Sequence, residues 1–182
     1  MNARSTRLAI FAAAAGAALL AGCTAAMMHA SGPMATAKLE ATRGNVAAGQ
    51  VMFHQRGDKV MVHARVEGLK PGQEHGFHIH EKGDCSSGDG MSTGGHFTPG
   101  AKPHGAHGSP ERHAGDLPAL KADAAGRVDA KFEIAGIAVG SGAADIVGKG
   151  LIVHAMPDDY RTQPTGNSGA RIACGVIARH MP

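Results

Sequence analysis

The stretch Val60-Met61-Val62-His63-Ala64-Arg65-Val66 alternates apolar residues with larger or polar ones along its whole length. Successive side chains of a β-strand point to opposite faces, so a period of two places the valines and the alanine on one face. The turn residues Arg56-Gly57-Asp58 separate this stretch from a second apolar run, Val51-Met52-Phe53. The pattern predicts neighbouring strands with one buried face.

Further short runs of the same kind follow along the chain, with glycine-containing turns between them. They cover residues 75–80, 128–134, 151–155 and 171–178. No stretch carries a sustained helical period with caps, so an all-β antiparallel sandwich or barrel of seven or eight strands is predicted. Residues 82–115 and 156–170 are too long and irregular for hairpins, and such loops on a β scaffold often carry function.

The N-terminus has the features of a targeting segment. Arg4 and Arg7 precede an apolar run over residues 8–20, which ends in Ala21-Gly22. A signal peptide over residues 1–22 is predicted. The alternative is a membrane-spanning helix, but the run is shorter than the roughly 20 residues that a helix needs to cross a bilayer. Residues 23–36 are predicted to be a flexible tether, and residues 37–182 the folded domain.

Leu20-Ala21-Gly22-Cys23 resembles the lipobox of bacterial lipoproteins, in which the cysteine receives the lipid. Cys23 is therefore predicted to anchor a periplasmic protein to a membrane. An ordinary secretory peptide, cut near Ala25-Ala26 or Met34-Ala35, is the alternative. Assigning Cys23 to lipid leaves Cys85 and Cys174, and an oxidising compartment favours a disulfide between them over two free thiols.

Charge excludes one class of partner. Removing Arg4 and Arg7 with the targeting segment lowers the formal net charge from +3 to +1 over the remaining 160 residues. A nucleic-acid-binding function, which the basic pI alone suggests, is therefore not predicted. The remaining length suits one domain with its own core.

Histidines concentrate on one predicted strand and in the loop that follows it. His78 and His80 project from one face of their strand, while Phe77 and Ile79 face the other. Alone, such a pair is equally typical of surface histidines. The loop adds three imidazoles and one carboxylate, the number of ligands in a tetrahedral zinc shell. These residues are His96, His104, His113 and Asp116. A solvated histidine-rich loop is the alternative. His154 ends the apolar run 151–154.

Four spaced motifs resemble the copper/zinc superoxide dismutases, and the resemblance covers residues 37–179. The motifs are Gly76-Phe77-His78-Ile79-His80-Glu81, Gly94-Gly95-His96-Phe97, Arg112-His113-Ala114-Gly115-Asp116-Leu117 and Gly169-Ala170-Arg171-Ile172-Ala173-Cys174-Gly175-Val176-Ile177. The fold that this resemblance implies is a flattened eight-stranded antiparallel Greek-key barrel with two long functional loops.

The resemblance also implies a role for each candidate site residue. It implies that copper is bound by His78, His80, His96 and His154, and zinc by His96, His104, His113 and Asp116. His96 would bridge the two ions, and the Cys85–Cys174 disulfide would join the metal loop to the last strand. Arg171 would guide the substrate anion, and Asp158 would hydrogen-bond His78 and His104, with Asp159 as the competing carboxylate.

The implied function is the disproportionation of superoxide to oxygen and hydrogen peroxide, which would protect the cell envelope. Superoxide is the implied partner, whereas the lipid anchor follows from the motif at Cys23 and the absence of a nucleic-acid partner from the net charge. The sequence leaves a monomer and a homodimer open. A copper or zinc buffer or delivery domain is the main alternative, and an envelope structural lipoprotein is a third. Storage needs neither Arg171 nor a shared imidazole at His96, so the enzyme is preferred.

Electrostatic steering of superoxide is a known property of this family. Residues 156–170 correspond to the loop that shapes the field over copper, and they are fewer than in eukaryotic dimeric members. The only charged residues in this segment are Asp158, Asp159 and Arg161. Steering is therefore expected to depend on Arg171 and Arg161. Five histidines fit no ligand position and are interpreted as structural or surface residues: His54, His63, His75, His107 and His180.

Overall fold

The computed structural model describes residues 32–180 and consists almost entirely of β-strands, which confirms the predicted fold class. A 3-10 turn at Met91–Thr93 is the only helical element of this range. The strands are β1 Met34–Ala41, β2 Ala48–Arg56, β3 Lys59–Glu67, β4 Glu74–His75, β5 Phe77–His80, β6 Leu120–Lys121, β7 Val128–Ala135, β8 Gly150–His154 and β9 Arg171–Arg179. Within residues 32–180, no helix is long and apolar enough to cross a membrane.

Seven strands form one antiparallel sheet in the order β5-β8-β9-β1-β2-β3-β7. The connections are of the Greek-key kind, because β7 pairs with β3 and β8 pairs with β5 across the strands that lie between them in the chain. β4 pairs with β6, and only Gly76 separates β4 from β5. If β4 and β5 are counted as one interrupted strand, the barrel has the eight strands that the sequence predicts. The β4–β6 pair joins the two ends of the curled sheet.

The core is made by the alternation that the sequence shows. In β3, Val60, Val62, Ala64 and Val66 are buried, while the residues between them face outward. Phe53 from β2 and Phe77 from β5 are fully buried in the same core. Burying one such side chain contributes about 2 to 3 kcal/mol to folding, so the core supplies a rigid support for the loops.

Two features differ from the sequence-based prediction. β1 begins at Met34, so the last residues of the predicted tether (23–36) belong to the first strand, where they pair with β2 and β9. The inward residues Ala35 and Ala37 are small, which makes the alternation of this strand weak. Residues 136–149 form a third loop that was not predicted, and this loop buries Ile137, Val139 and Ile146.

Several predictions concern residues that the structure does not describe. The signal peptide over residues 1–22, the lipid site at Cys23 and the tether up to residue 31 lie outside the described residues.

A disulfide joins Cys85 in the first long loop to Cys174 in β9, as the sequence predicts. The two cysteines are 89 residues apart. Closing a loop of this length restricts the unfolded chain. A chain-entropy model gives a stabilisation of the folded state of about 4 to 5 kcal/mol. The bond therefore ties the start of the histidine-rich loop to the centre of the sheet.

Replacing both Cys85 and Cys174 by serine should lower the free energy of unfolding by about 2 to 4 kcal/mol, because the unfolded chain regains its freedom. Urea unfolding at equal metal content measures the change. Reductant should destabilise the parent protein by a similar amount and leave the variant unaffected. Equal stability of the two proteins would contradict this account.

Candidate metal centre

The structure brings all seven predicted ligands together as two groups of four that share His96. Within each group the ligand atoms lie within 4.8 Å of one another, and every residue is buried. The first group is His78, His80, His96 and His154, and the second is His96, His104, His113 and Asp116. β5 and β8 carry three of these residues, and the loop between β5 and β6 carries the other four.

Backbone hydrogen bonds hold the histidine-rich loop against β5. The amide of Ile79 donates to Gly115 at 2.9 Å, and the amide of Phe97 donates to the carbonyl of Ile79 at 2.8 Å. On the other side of β5, the ladder to β8 has an irregularity between Val153 and His154. Such bulges redirect a side chain. The amide of His154 then donates to the carbonyl of Gly76 at 2.8 Å, which places this imidazole beside those of β5.

The first group contains four buried nitrogens without hydrogen-bond partners anywhere in the described range. They are His78 Nδ1, His80 Nε2, His96 Nε2 and His154 Nε2. The opposite ring nitrogen of each histidine is occupied. Those of His80 and His154 lie 2.9 Å and 3.2 Å from the carbonyls of Gly94 and Gly169. Buried polar atoms are rarely left unpaired, so four converging orphan nitrogens fit a metal ion.

The second group is centred on one carboxylate oxygen. Asp116 Oδ1 lies 2.9 Å, 3.0 Å and 3.3 Å from the Nδ1 atoms of His96, His104 and His113. The other oxygen, Oδ2, accepts hydrogen bonds from the amides of Gly105 and His113 at 3.0 Å and 2.9 Å, which fixes the carboxylate. Ligands of tetrahedral zinc at bond lengths near 2.0 Å are roughly 3.3 Å apart. The spacing and the donor types therefore fit zinc.

The protonation states suit metal binding in the first group. Burial lowers the pKa of His80 and His154 well below the usual range. Burial is also the main cause that lowers the pKa of His96 to about 4. These imidazoles are therefore neutral near pH 7, the form in which histidine binds metals.

The two buried carboxylates remain ionised. Burial alone would raise the pKa of Asp116 and Asp158, but hydrogen bonds with histidines outweigh it and hold both pKa values below their usual range. For His104, burial lowers the pKa, while the bonds to the two aspartates raise it more, to about 9. Asp116 therefore offers a negative charge to a cation at the second group, and the charge of Asp158 lies beside His78 and His104.

Asp158 connects the two groups from the second long loop. Its Oδ2 lies 2.7 Å from His78 Nε2, and its Oδ1 lies 2.9 Å from His104 Nε2. The neighbouring Asp159 instead accepts hydrogen bonds from Thr162 and the amide of Arg161 within its own turn. Of the two carboxylates that the sequence leaves open, the structure brings Asp158 to the histidines.

Gln163 is a site residue that sequence reasoning missed. The amide of His104 donates to Gln163 Oε1 at 2.9 Å, and Gln163 Nε2 donates to the carbonyl of His104 at 2.9 Å. Gly166 packs against Asp158 so closely that a side chain there would displace the carboxylate. Neither residue type is characteristic of metal sites, so no sequence signal identified them.

Arg171 lies at the edge of the first group. Its guanidinium donates to Gly90 O, Thr93 Oγ1 and Gly94 O, each at 2.8 Å. The carbonyl of Gly94 is also the partner of His80 Nδ1, so one backbone oxygen joins the cation to a histidine of the group. Arg171 remains partly accessible. His107, by contrast, is exposed and belongs to neither group.

The fold and the two groups define an all-β protein with two adjoining, buried, histidine-rich groups that could hold metal ions. The family model of copper/zinc superoxide dismutase (SODC) matches residues 47–177, and the chain belongs to that family. It is 42% identical over 137 residues to the extracellular superoxide dismutase [Cu-Zn] of Drosophila melanogaster, covering 71% of this chain and 74% of that protein. It is 39% identical over 140 residues to the superoxide dismutase-like protein YojM of Bacillus subtilis (strain 168), covering 74% and 71%.

Solved structures agree with the family. The clock protein EA4 superimposes with a TM-score of 0.74 at 37% identity, covering 81% of this chain and 95% of that one. A double mutant of a SOD-like protein from Bacillus subtilis superimposes with a TM-score of 0.69 at 38% identity, covering 79% and 96%.

Replacing Asp158 by asparagine should weaken metal binding by about 10- to 100-fold, because an amide cannot accept hydrogen bonds from both His78 and His104 through two oxygens. Competition with a chromophoric chelator measures the affinity. Asp159→Asn is the matched control and should bind metal like the parent. An equal loss in both variants would contradict the assignment.

Proposed function

We propose that this protein disproportionates superoxide, with copper in the first group and zinc in the second. Two superoxide anions and two protons give one oxygen and one hydrogen peroxide. The observation that carries the proposal is His96, which directs Nε2 into the first group and Nδ1 into the second. This arrangement supports assigning one imidazole to both ions.

Copper, when bound, can accept an electron from one superoxide and return it to another, whereas zinc has no redox chemistry and organises its ligands. His78, His80 and His154 would hold the copper through the orphan nitrogens described above. His104, His113 and Asp116 would hold the zinc. His96 Nε2 is buried and unpaired in the described residues, so it is the atom able to hold a proton for the peroxide product.

Arg171 is assigned the binding and guidance of the anion. A guanidinium keeps its charge and offers several donors, and three of its bonds fix its position here. The carboxylate of Asp158 is buried between two histidines, so it repels superoxide less than a free carboxylate would. Asp159 and Arg161 are then the exposed charges of residues 156–170, and Arg161 is the second cation assigned to steering.

A binding protein that stores or delivers copper or zinc is the second candidate. One relative is named only as dismutase-like, which keeps this candidate relevant. A store needs ligands but no partly accessible cation fixed beside them, and Arg171 is such a cation. A purely structural envelope protein would leave two groups of buried ligands without a role.

The proposed location is the periplasm, with residues 1–22 as the signal peptide and Cys23 lipidated to hold the protein at a membrane. The disulfide supports an oxidising compartment, and a relative is named as extracellular. Protection of the envelope from superoxide follows from that location.

Replacing His154 by alanine should abolish superoxide removal and leave zinc in place, because this residue belongs only to the first group. Metal analysis and a superoxide-removal assay test both points, and one copper and one zinc per chain are expected in the parent. His107→Ala is the matched control and should keep metals and activity. Full activity in His154→Ala would exclude the copper assignment, and zinc without turnover in the parent would favour the binding protein.

Replacing Arg171 by alanine should lower kcat/KM by about tenfold or more, with lysine intermediate, because the anion loses its guiding charge. The salt dependence of kcat/KM should also decrease. Metal content must be measured in parallel, since Arg171 also fixes Gly90 and Gly94. Arg65→Ala, on the outer face of β3, is the control and should retain the parent rate. Loss of metal in proportion to activity would show a structural role instead.

A further inference from the structure

The outer face of β1, β2 and β3 carries a row of sulfur and imidazole side chains away from the centre described above. In the strand register Met34 lies opposite His54, and His54 lies opposite Met61. Burial confirms that all three point outward, because their neighbours Ala35, Phe53 and Val60 are fully buried. Directly opposite residues on one face have Cβ atoms about 4.5 to 5.5 Å apart, so two thioethers flank one imidazole.

His54 is unusual for an outward-facing residue. Its Nε2 is shielded from solvent and has no hydrogen-bond partner among residues 32–180. The adjacent row provides a contrast, since His63 lies opposite Met52 but has its Nε2 held by Asp129 at 2.6 Å. A buried imidazole nitrogen without a partner is costly, and its neighbours on either side offer no conventional donor.

The donor atoms of this row favour one metal ion. Thioether sulfur is a soft, uncharged ligand and favours monovalent copper, whereas zinc prefers imidazole, thiolate and carboxylate. The carboxylate next in the row, Glu133 opposite Met61, lies 3.9 Å from Lys59 in an ion pair. At the other end of the row the exposed His180 donates its amide to the carbonyl of Met34 at 2.8 Å. Two thioethers with the imidazole of His54 between them form the middle of the row.

We propose that Met34, His54 and Met61 form a separate site for monovalent copper on the outside of the barrel. β2, which carries His54, is separated from β5, which carries His78 and His80, by β8, β9 and β1 in the sheet. The site is thus distinct from the paired centre, and its existence does not depend on the proposed dismutase activity. It would let the protein bind Cu(I) in addition to the metals of that centre.

The test uses protein whose paired centre is already loaded with zinc and reduced copper, titrated anaerobically with Cu(I) against a chromophoric Cu(I) chelator. The parent should bind one further Cu(I), and the Met34→Leu/Met61→Leu variant should lose it. Leucine conserves the volume of methionine, so the fold should persist, which circular dichroism and zinc content check. The variant keeps every other methionine and histidine of the chain, so the difference reports on this row.

Met91→Leu is the matched control, because Met91 is 60% exposed and lies outside the row. It should bind the further Cu(I) like the parent. In methyl-labelled methionine NMR spectra, the signals of Met34 and Met61 should shift on addition of Cu(I), and that of Met91 should not. The proposal is overturned if the parent binds no further Cu(I), if the double variant binds as much, or if Zn²⁺ competes equally for the site, since that would indicate imidazole binding without sulfur.

Discussion

The burial of unpaired imidazole nitrogens is the constraint on which the rest of this structure depends. Each buried polar atom without a partner costs about 1 to 3 kcal/mol, and the first group has four of them converging on one point. A bound cation removes that cost, so metal binding and the order of the surrounding loops are coupled. The loop that supplies His96, His104, His113 and Asp116 has few buried apolar residues of its own. Backbone bonds to β5, the Asp116 carboxylate and the disulfide hold it instead.

Sequence patterns predicted the strands with an apolar run or a clear alternation of large residues, and they missed β1 and β6. β3 could be predicted because valines alternate with larger outward residues, while β1 places alanines inward and resembles a flexible segment in composition. β6 is two residues long and has no period at all. The loop over residues 136–149 was missed for a related reason, since its buried isoleucines are separated irregularly and depend on the barrel to receive them.

The residues of the two groups could be predicted, because histidine and aspartate are recognisable in the sequence as candidate metal ligands. Their surroundings could not, because backbone atoms make many of the contacts. The carbonyls of Gly94 and Gly169 orient His80 and His154, and any residue has such a carbonyl. Gln163 acts through the backbone of His104 rather than through its ring. The choice between Asp158 and Asp159 required the structure of their turn, which directs Asp158 inward to His78 and Asp159 toward Thr162.

The same alternation that builds the core also separates the two sets of side chains that we assign to metals. On β5 both faces are buried, so His78 and His80 are desolvated and gain partners only from loops and other strands. On β2 and β3 one face is outward, and histidine there has methionine as its cross-strand neighbour. A barrel can therefore hold imidazole and carboxylate ligands inside a loop-covered centre and the proposed thioether ligands on its outer wall. Because strand register fixes which side chains are opposite each other, a shift of one residue in β2 would turn His54 into the core and separate it from both methionines.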